Sequence, residues 1–434
     1  SNSLTLSFSV GYRPATRANE VNNLNQLPYY SDWNNLAPQV GLAWRMPKRW
    51  GVQRVASAIH YGEIFPVTFQ QVRFNPPLNR KIIIQLPNLA DPFAGRDLSN
   101  IRSVLYDYTR ELVSPYSLQY NYSWELEPAK DWKLNLGYVG SRAVKLLHHW
   151  YGNRGLIRPG IPQTLATVDE RRAIAQYNEI RTVTNGSQAW FHAGRVSLVT
   201  PRWHGLTIDT AYWFSKALDL GGDYTNTAHD VDSFRFRSQS ELDVHKDLKS
   251  RSRFDQPHSF VLRTSYALPR FKGPLQNRAG AWTLSAVGLS KTGTPFDLNT
   301  GSDAPGFGNV DGMSGDRPHL IDPSILGRSI DHPDRARALL PRSAFGFLAP
   351  TDLAGSLGRH VFRRGPVKNL NVSLSGAWAL PRETSLSLRV EAINSTNSPQ
   401  FAEPGNRLTD PNFAAITNTL NDGRSFRAQL RFSF

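Results

Sequence analysis

Residues 116–139 read YSLQYNYSWELEPAKDWKLNLGYV, and their spacing decides the fold. Tyr116, Leu118, Tyr120, Tyr122, Trp124 and Leu126 alternate with Ser117, Gln119, Asn121, Ser123 and Glu125. A period of two places one set on each side of an extended strand. The turn PAKD at Pro128 follows, where proline presets φ and ends the hydrogen-bond ladder. A second alternating run, Trp132–Tyr138, then sends the chain back.

The same unit recurs along the chain. Leu4, Leu6, Phe8, Val10 and Tyr12 alternate with polar or small residues, as do Leu206–Phe214, Phe260–Leu268, Leu370–Leu380 and Leu386–Ala392. The closing RSFRAQLRFSF sets Phe426, Ala428, Leu430, Phe432 and Phe434 against Arg427, Gln429, Arg431 and Ser433. We count about twelve such segments, most of them roughly the 9–11 residues of a tilted strand crossing a bilayer. Their spans are 3–12, 36–46, 52–62, 116–127, 132–142, 190–200, 206–216, 258–268, 281–292, 367–380, 384–394 and 424–434. Helical periodicity is confined to DERRAIAQYNEI, Asp169–Ile180, where a short helix is expected.

The connections fall into two kinds. Short ones carry proline: PKRWG at Pro47, PAKD at Pro128, PRWHG at Pro201, PRFKGPLQNRAG at Pro269 and PRET at Pro381. Long, polar ones occupy 13–35, 63–115, 143–189, 217–257, 293–366 and 395–423. Short and long alternate along the chain, which is the arrangement of a transmembrane barrel with short periplasmic turns and long extracellular loops. Trp44, Trp124, Trp132, Trp282 and Trp378 all lie near short turns on the apolar face, as an interfacial aromatic girdle requires. Alternation alone does not separate a barrel from a soluble sandwich; loop segregation, tryptophan placement and strand length do. The expected fold is therefore all-β, a transmembrane antiparallel up-and-down β-barrel of about twelve strands in the bacterial outer membrane. Apolar faces then meet lipid, while Lys133, Asn135, Asp209, Arg389, Glu391, Arg427 and Arg431 line a wet lumen.

Composition sets bounds on the alternatives. The 434 residues include no cysteine, which removes disulfides and thiolate metal sites. No run approaches the roughly 18 apolar residues of a membrane-crossing helix. The formal charge of +15 is spread through strands and turns without a basic run or helix, so no nucleic-acid partner is expected. The opening SNSLTLSFSVGYRP from Ser1 lacks the marks of a signal peptide, and the chain reads as a portion of a longer mature protein.

Several stretches resemble the barrel of TonB-dependent outer-membrane transporters, of the Oar-like group. WNNLAPQVGLAWRM (Trp33–Met46) is similar to that group's N-N-F-x-P-R-x-G-x-A-W strand, and LNLGYVGSRAVKL (Leu134–Leu146) to its Y-V-G-S-x-x-x-x-L strand. LTIDTAYWFSKALD (Leu206–Asp219) resembles its x-Y-T-W-S-K-S-x-D segment, departing at Trp213, Phe214 and Ala217. SRFDQPHSFVLRTSYALP (Ser252–Pro269) matches D-x-x-H-x-F-V. VEAINSTNSPQFAEPGN (Val390–Asn406) resembles E-x-F-N-x-x-N-x-x-x-F-x-x-P, with Ile393 in place of the Phe. These run in the family's order over most of the chain.

The resemblance implies that residues 1–434 are the C-terminal portion of a barrel of about 22 strands, lacking signal peptide, plug and N-terminal strands; the alternative is a closed barrel of about twelve strands. It implies outer-membrane lipid, the barrel assembly machinery and, through the plug, a TonB-type energy-coupling protein as partners. An unidentified ligand would be captured by loops starting near 63, 143, 217 and 293. The terminal Phe432 and Phe434 resemble the signal read by the assembly machinery. The alternative function is an adhesin or structural barrel without active transport.

No enzyme and no cofactor is expected. The eleven histidines fall into no H-x-x-x-H spacing, and G-x-S-x-G, P-loop and G-x-G-x-x-G patterns do not occur. The pair His148–His149 before Trp150 is expected in an exposed loop. Asp303, Asp311 and Asp316 lie among glycines in GSDAPGFGNVDGMSGDRP, where hard-cation binding is chemically conceivable but no EF-hand spacing exists; a flexible loop is expected. The mixed charges of 217–257 allow the same reading. Leu-Pro-Arg at 268–270 and 380–382 reads as a repeated turn. In a soluble reading, Glu125 and Glu127 beside Trp124 would be the carboxylate pair of a carbohydrate-active protein, though one strand end implies no cleft.

Overall fold

A computed structural model describes residues 3–12, 30, 32–47, 50–64, 75, 90–91, 102–221, 238–241, 247–269 and 280–434. Its first strands are β1 Ser3–Tyr12, β2 Leu36–Arg45, β3 Val52–Tyr61, β4 Ser103–Tyr108, β5 Tyr116–Leu126 and β6 Lys133–Gly152. Next come β7 Tyr177–Val199, β8 Leu206–Asp219, β9 Ser250–Arg251, β10 His258–Ala267 and β11 Ala281–Lys291. Five short strands follow, β12 Pro295–Phe296, β13 His319–Leu320, β14 Ser329–Ile330, β15 Phe345–Gly346 and β16 Phe362–Arg364. The chain closes with β17 Val367–Ala379, β18 Ser385–Ile393 and β19 Ser425–Ser433.

Twelve strands form one antiparallel meander in the order β1-β2-β3-β5-β6-β7-β8-β10-β11-β17-β18-β19. Each pairs with the next long strand in sequence, as short turns and returning loops dictate. The register never slips by one residue across the membrane-crossing part. One row joins Trp44, Gln53, Trp124, Leu136, Val196, Tyr212 and Phe260. Another joins Trp282, Gly376, Leu388 and Leu430. Since a one-residue slip would turn every side chain over, the apolar alternation of each strand adds up to one continuous face.

That face is bare. Leu42, Trp44, Val55, Tyr138, Val196, Phe214, Leu284, Val390, Phe426 and Leu430 are all exposed. An apolar surface of this extent is a membrane surface. The opposite face carries small and polar residues, among them Ser123, Gly137, Ser197, Ser265, Ser285, Ser373 and Ser375.

The proline turns bring the chain back where they are described. Gly51, Gly205 and Gly280 close three of them with φ of +65°, +87° and +67°, and Asp131 takes φ +63° in PAKD. A Cβ on Gly51 would stand 1.9 Å from the Glu125 carbonyl oxygen, so only glycine fits there. The PRET turn corrects the expectation for proline. Arg382 and Glu383 both have φ +59°, and Thr384 N–H donates to Pro381 O at 3.4 Å. This is the hairpin geometry with two left-handed central residues, and proline precedes them instead of shaping them. Residues 270–279 of the Pro269 turn lie outside the described residues.

Three further expectations change. β6 and β7 run 20 and 23 residues instead of 9–11, because their hairpin continues past the barrel wall and takes β4 alongside β7 in parallel. Asp169–Ile180 is no helix: a turn leads into β7, and Arg171 and Arg172 point inward to carbonyls of Gly155, Leu156, Val310 and Asn153. Those backbone acceptors outcompete the weak propensity of an isolated helical turn. His148 is 6% exposed within β6, so His148–Trp150 is strand and not exposed loop.

The long loops hold the dry core. Phe296, Leu298, Ile325, Ile330, Ala336, Leu340, Phe345, Leu357 and Phe362 from 292–366 pack with Leu408, Phe413, Ala414 and Ile416 from 395–424. β12-β16-β14, β13-β15 and a short helix, Pro333–Leu339, frame this cap. Backbone hydrogen bonds tie its two loops, Asn299 N to Asn406 O and Leu408 N to Asn299 O, each 2.9 Å. Residues 301–318 are thus not a flexible loop: Val310 is fully buried and Asp316 is 1% exposed.

Candidate functional site

A concave site lies where residues 239–240, 247–251 and 353–361 meet beside the cap. It is a cavity of about 700 Å³. Lys249, Arg251, Arg317 and Arg359 line it with a single carboxylate, Asp247, among backbone and apolar groups of Leu353, Ala354, Gly355 and Val361. Buried polar anchors fix this geometry. Gln239 donates through Nε2 to Asp247 Oδ1 (3.0 Å) and Gly355 O (3.1 Å), while its Oε1 accepts from Arg317 N (2.8 Å) and Gly355 N (3.0 Å). All four capacities of the amide are in use, which pins two loops to each other.

The cations divide into structural and available groups. Arg317 pairs with Asp247 and donates to Leu357 O at 2.8 Å. Arg359, its side chain wholly buried, pairs with Asp219 at the end of β8 and donates to Ser250 Oγ at 2.8 Å. Its Nη1 is buried and has no hydrogen-bond partner among the described residues. Lys249 lies 5.3 Å over the Trp190 ring. His360 Nδ1 lies 2.6 Å from Arg251 O, and burial holds its imidazole below the usual value, with Asp297 partly opposing. Neutral His360 is thus a wall group, and the Arg359 charge is met by Asp219.

Within the cap, Asp303, Asp311 and Asp316 come together, as their spacing among glycines allowed. Asp303 accepts from Gly312 N (2.7 Å) and Asp311 N (3.2 Å), Asp316 from Asn309 N (3.1 Å), and Asp311 from Arg154 Nη1 (3.1 Å). Burial first, then the Asp311 charge, pushes Asp303 up to about 7, and Asp316 well above the ordinary range. These carboxylates are spent on backbone donors and arginine. Among the described residues, no group of three His, Cys, Asp or Glu is arranged to hold a metal ion.

The residues expected in the lumen share one face in two separate groups. Lys133 and Asp209 stand in one cross-strand row through Val199, with Asn135 paired to Glu125 and Ser197. Arg263 lies opposite Asp209. Across the sheet, Arg389 binds Glu391 at 2.5 Å, Glu391 pairs with Arg427 in register, and Arg431 pairs with Ser387. Glu125 is held by Arg54 at 2.6 Å, and Glu127 accepts from Asp131 N at 2.9 Å, so both glutamates of the soluble reading serve the strand end.

The five tryptophans lie at the short-turn edge and bring in two that the sequence reading missed. Trp50 stacks on Trp124 at 6.2 Å and 7°, and Trp124 Nε1 donates to Trp50 O at 2.7 Å. Trp203 meets Trp132 edge-on at 6.3 Å, and Trp282 meets Trp378 at 5.5 Å and 87°. Trp44 is 46% exposed. Trp50 and Trp203 lie inside PKRWG and PRWHG, where tryptophan is unusual in a turn, and that is the signal that would have found them. Phe432 and Phe434 stack at 5.9 Å, and Phe434 is almost fully exposed.

The sequence model of a family described as outer membrane beta barrel domain matches residues 4–427. None of the curated proteins matches the chain in sequence. Among solved structures, it is similar to the outer membrane transporter YddB from Escherichia coli, with 9% identity and a TM-score of 0.45, over 99% of this chain and 49% of that one. It is also similar to the FrpB iron transporter from Neisseria meningitidis, F5-1 variant (10%, TM-score 0.45, 98% of this chain, 43% of that one). A third is the ferripyoverdine receptor of the outer membrane of Pseudomonas aeruginosa (12%, TM-score 0.40, 94% and 34%). The chain spans a third to a half of the length of these solved chains.

Proposed function

This chain belongs to the outer membrane β-barrel domain family and resides in the bacterial outer membrane, and we propose that it acts there as the wall and ligand-capturing cap of a TonB-dependent transporter of the Oar-like group. The observation that carries the reading is the cavity at the long-loop end, where Lys249 and Arg251 stand beside Arg317 and Arg359, whose charges are matched by Asp247 and Asp219. Such a lining favours an anionic ligand with apolar parts. The cap loops would receive it, and the inward polar face, with Arg389, Glu391, Arg427 and Arg431 on one side and Lys133, Asn135 and Asp209 on the other, would line the descent. Trp44, Trp124, Trp132, Trp282 and Trp378 would anchor the periplasmic rim, and Phe432 and Phe434 would be read by the assembly machinery.

The edges support reading residues 1–434 as one part of a larger wall. Among the described residues, β1 pairs with β2 alone and β19 with β18 alone. An open edge would leave unpaired backbone groups in lipid, which favours a ring completed by further strands. Gating and coupling would belong to a plug carried elsewhere in the same protein.

The test compares cells carrying the full-length protein, with and without their TonB-type coupling protein. Mass spectrometry of the spent medium should show anionic compounds depleted only in coupled cells. Equal depletion in both, or none, overturns active transport and leaves the second reading, an adhesin or structural barrel.

A further inference from the structure

The lipid-facing side of the sheet has two unlike margins. The tryptophans mark its short-turn margin. At the other margin, Arg142, Lys216, Lys368 and Arg424 are exposed at outward register positions or immediately beside them, with His192 and His258 between them. Each lies seven to eleven residues from the short-turn end of its strand, so all stand near one height. Among the described outward positions of the membrane-crossing strands there is no carboxylate.

Single cations at a membrane margin need no special account, because long side chains reach out of the hydrocarbon. A built groove does. Tyr138, Gly194 and Phe214 face one another in one cross-strand row. A Cβ on Gly194 would have nothing within 4 Å, so the row has two aromatic walls and an empty floor. Tyr138 is held upright by a 2.7 Å hydrogen bond between its hydroxyl and His192 Nδ1. A cavity of about 500 Å³ opens there, and His192, Lys216 and Arg251 stand around it. Asp255 also touches it, but its carboxylate is matched by Arg363.

We propose that this groove holds one outer-leaflet lipid bearing a phosphate headgroup. The acyl chain lies over Gly194 between Tyr138 and Phe214, and the phosphate sits among His192, Lys216 and Arg251. The charge fits: the groove offers cations at the height where headgroups lie and apolar walls where chains lie. Basic side chains at a membrane surface attract anionic lipid, by about fivefold in affinity for each cation.

The full-length protein in mild detergent is titrated with bisphosphorylated lipid A and, separately, with its dephosphorylated form, and bound lipid is read by native mass spectrometry. Tighter retention of the phosphorylated lipid is expected. Lys216→Ser with Arg251→Ser should weaken it more than tenfold, and Gly194→Trp, which fills the floor and leaves every cation in place, should abolish it. Arg427→Ser on the inward face should leave it unchanged. Equal binding of the two lipids by the unaltered protein overturns the proposal without reference to any variant. So does full displacement by inorganic phosphate, which would assign the site to a free anion.

Discussion

The sheet and the cap solve opposite problems with one chain. In the sheet, large apolar side chains such as Leu430 and Phe426 are about 70% exposed, while in the cap Phe296, Phe362 and Ile330 are buried to 2% or less. The sheet needs no core because lipid is its apolar surround, and its backbone is satisfied strand to strand. The cap stands in water and must bury its own hydrophobic groups like a small soluble domain. In this molecule, therefore, the buried aromatic cluster belongs to the loops, and the continuous exposed apolar face belongs to the wall.

The sharpest way to break the contrast is Phe362→Ala. This ring is fully buried, 6.1 Å from both Phe296 and Phe345, and its loss should cost the cap about 3–5 kcal/mol. Protease should then cut 292–366 in intact cells while the wall keeps its heat-resistant migration on gels. Joint loss of both would show the two regions to be one cooperative unit.

Leu262→Arg tests the other region. It places a charge on the outward face at mid-strand and should cost about 2–4 kcal/mol in folding into lipid vesicles, with the neighbouring inward Arg263→Leu far milder. Equal effects would mean that the faces are misassigned.

A pH scan separates the regions more gently. Asp303, at about 7, holds its proton more tightly folded than at the unfolded value of 3.8. Its contribution is fully present below that lower value and is lost as pH rises through about 7. Protease resistance of the cap should fall over this window, and Asp303→Asn should flatten the slope, while unfolding of the wall stays level.

The smallest expected effects lie on the wall. Glu391→Gln should change stability by under about 1 kcal/mol, because Arg389 and Glu391 are both partly solvated. Phe434→Ala should leave the folded wall unaltered, the ring being almost fully exposed, yet slow insertion by the assembly machinery. Unchanged insertion in a membrane assay would remove Phe434 as a signal.

The wall was legible in the sequence because a period of two survives in most strands, and because Trp124 or Trp378 marks where a strand ends. The cap was not. Its hydrophobic residues, Phe296, Ile325, Phe345, Phe362 and Phe413, follow no period, and their partners lie in a different loop. Glycine and aspartate at 301–318 looked like a mobile segment, yet backbone donors and Arg154 bury them. Arg171 and Arg172 fell within the expected short helix, and only the fold supplies the carbonyls that draw them inward. The cavity at Arg359 likewise depends on bringing residue 219 to residue 359, a contact no local pattern announces.

The meander has a last consequence, for the order of events. Every long strand joins its sequence neighbour, so the wall can grow by adding hairpins, each closing a modest loop. The cap has no such route. Its halves, 292–366 and 395–424, meet only after β17 and β18 have brought them to the same rim. Cap closure is therefore a late checkpoint, and a protected cap certifies that this side of the wall has been completed.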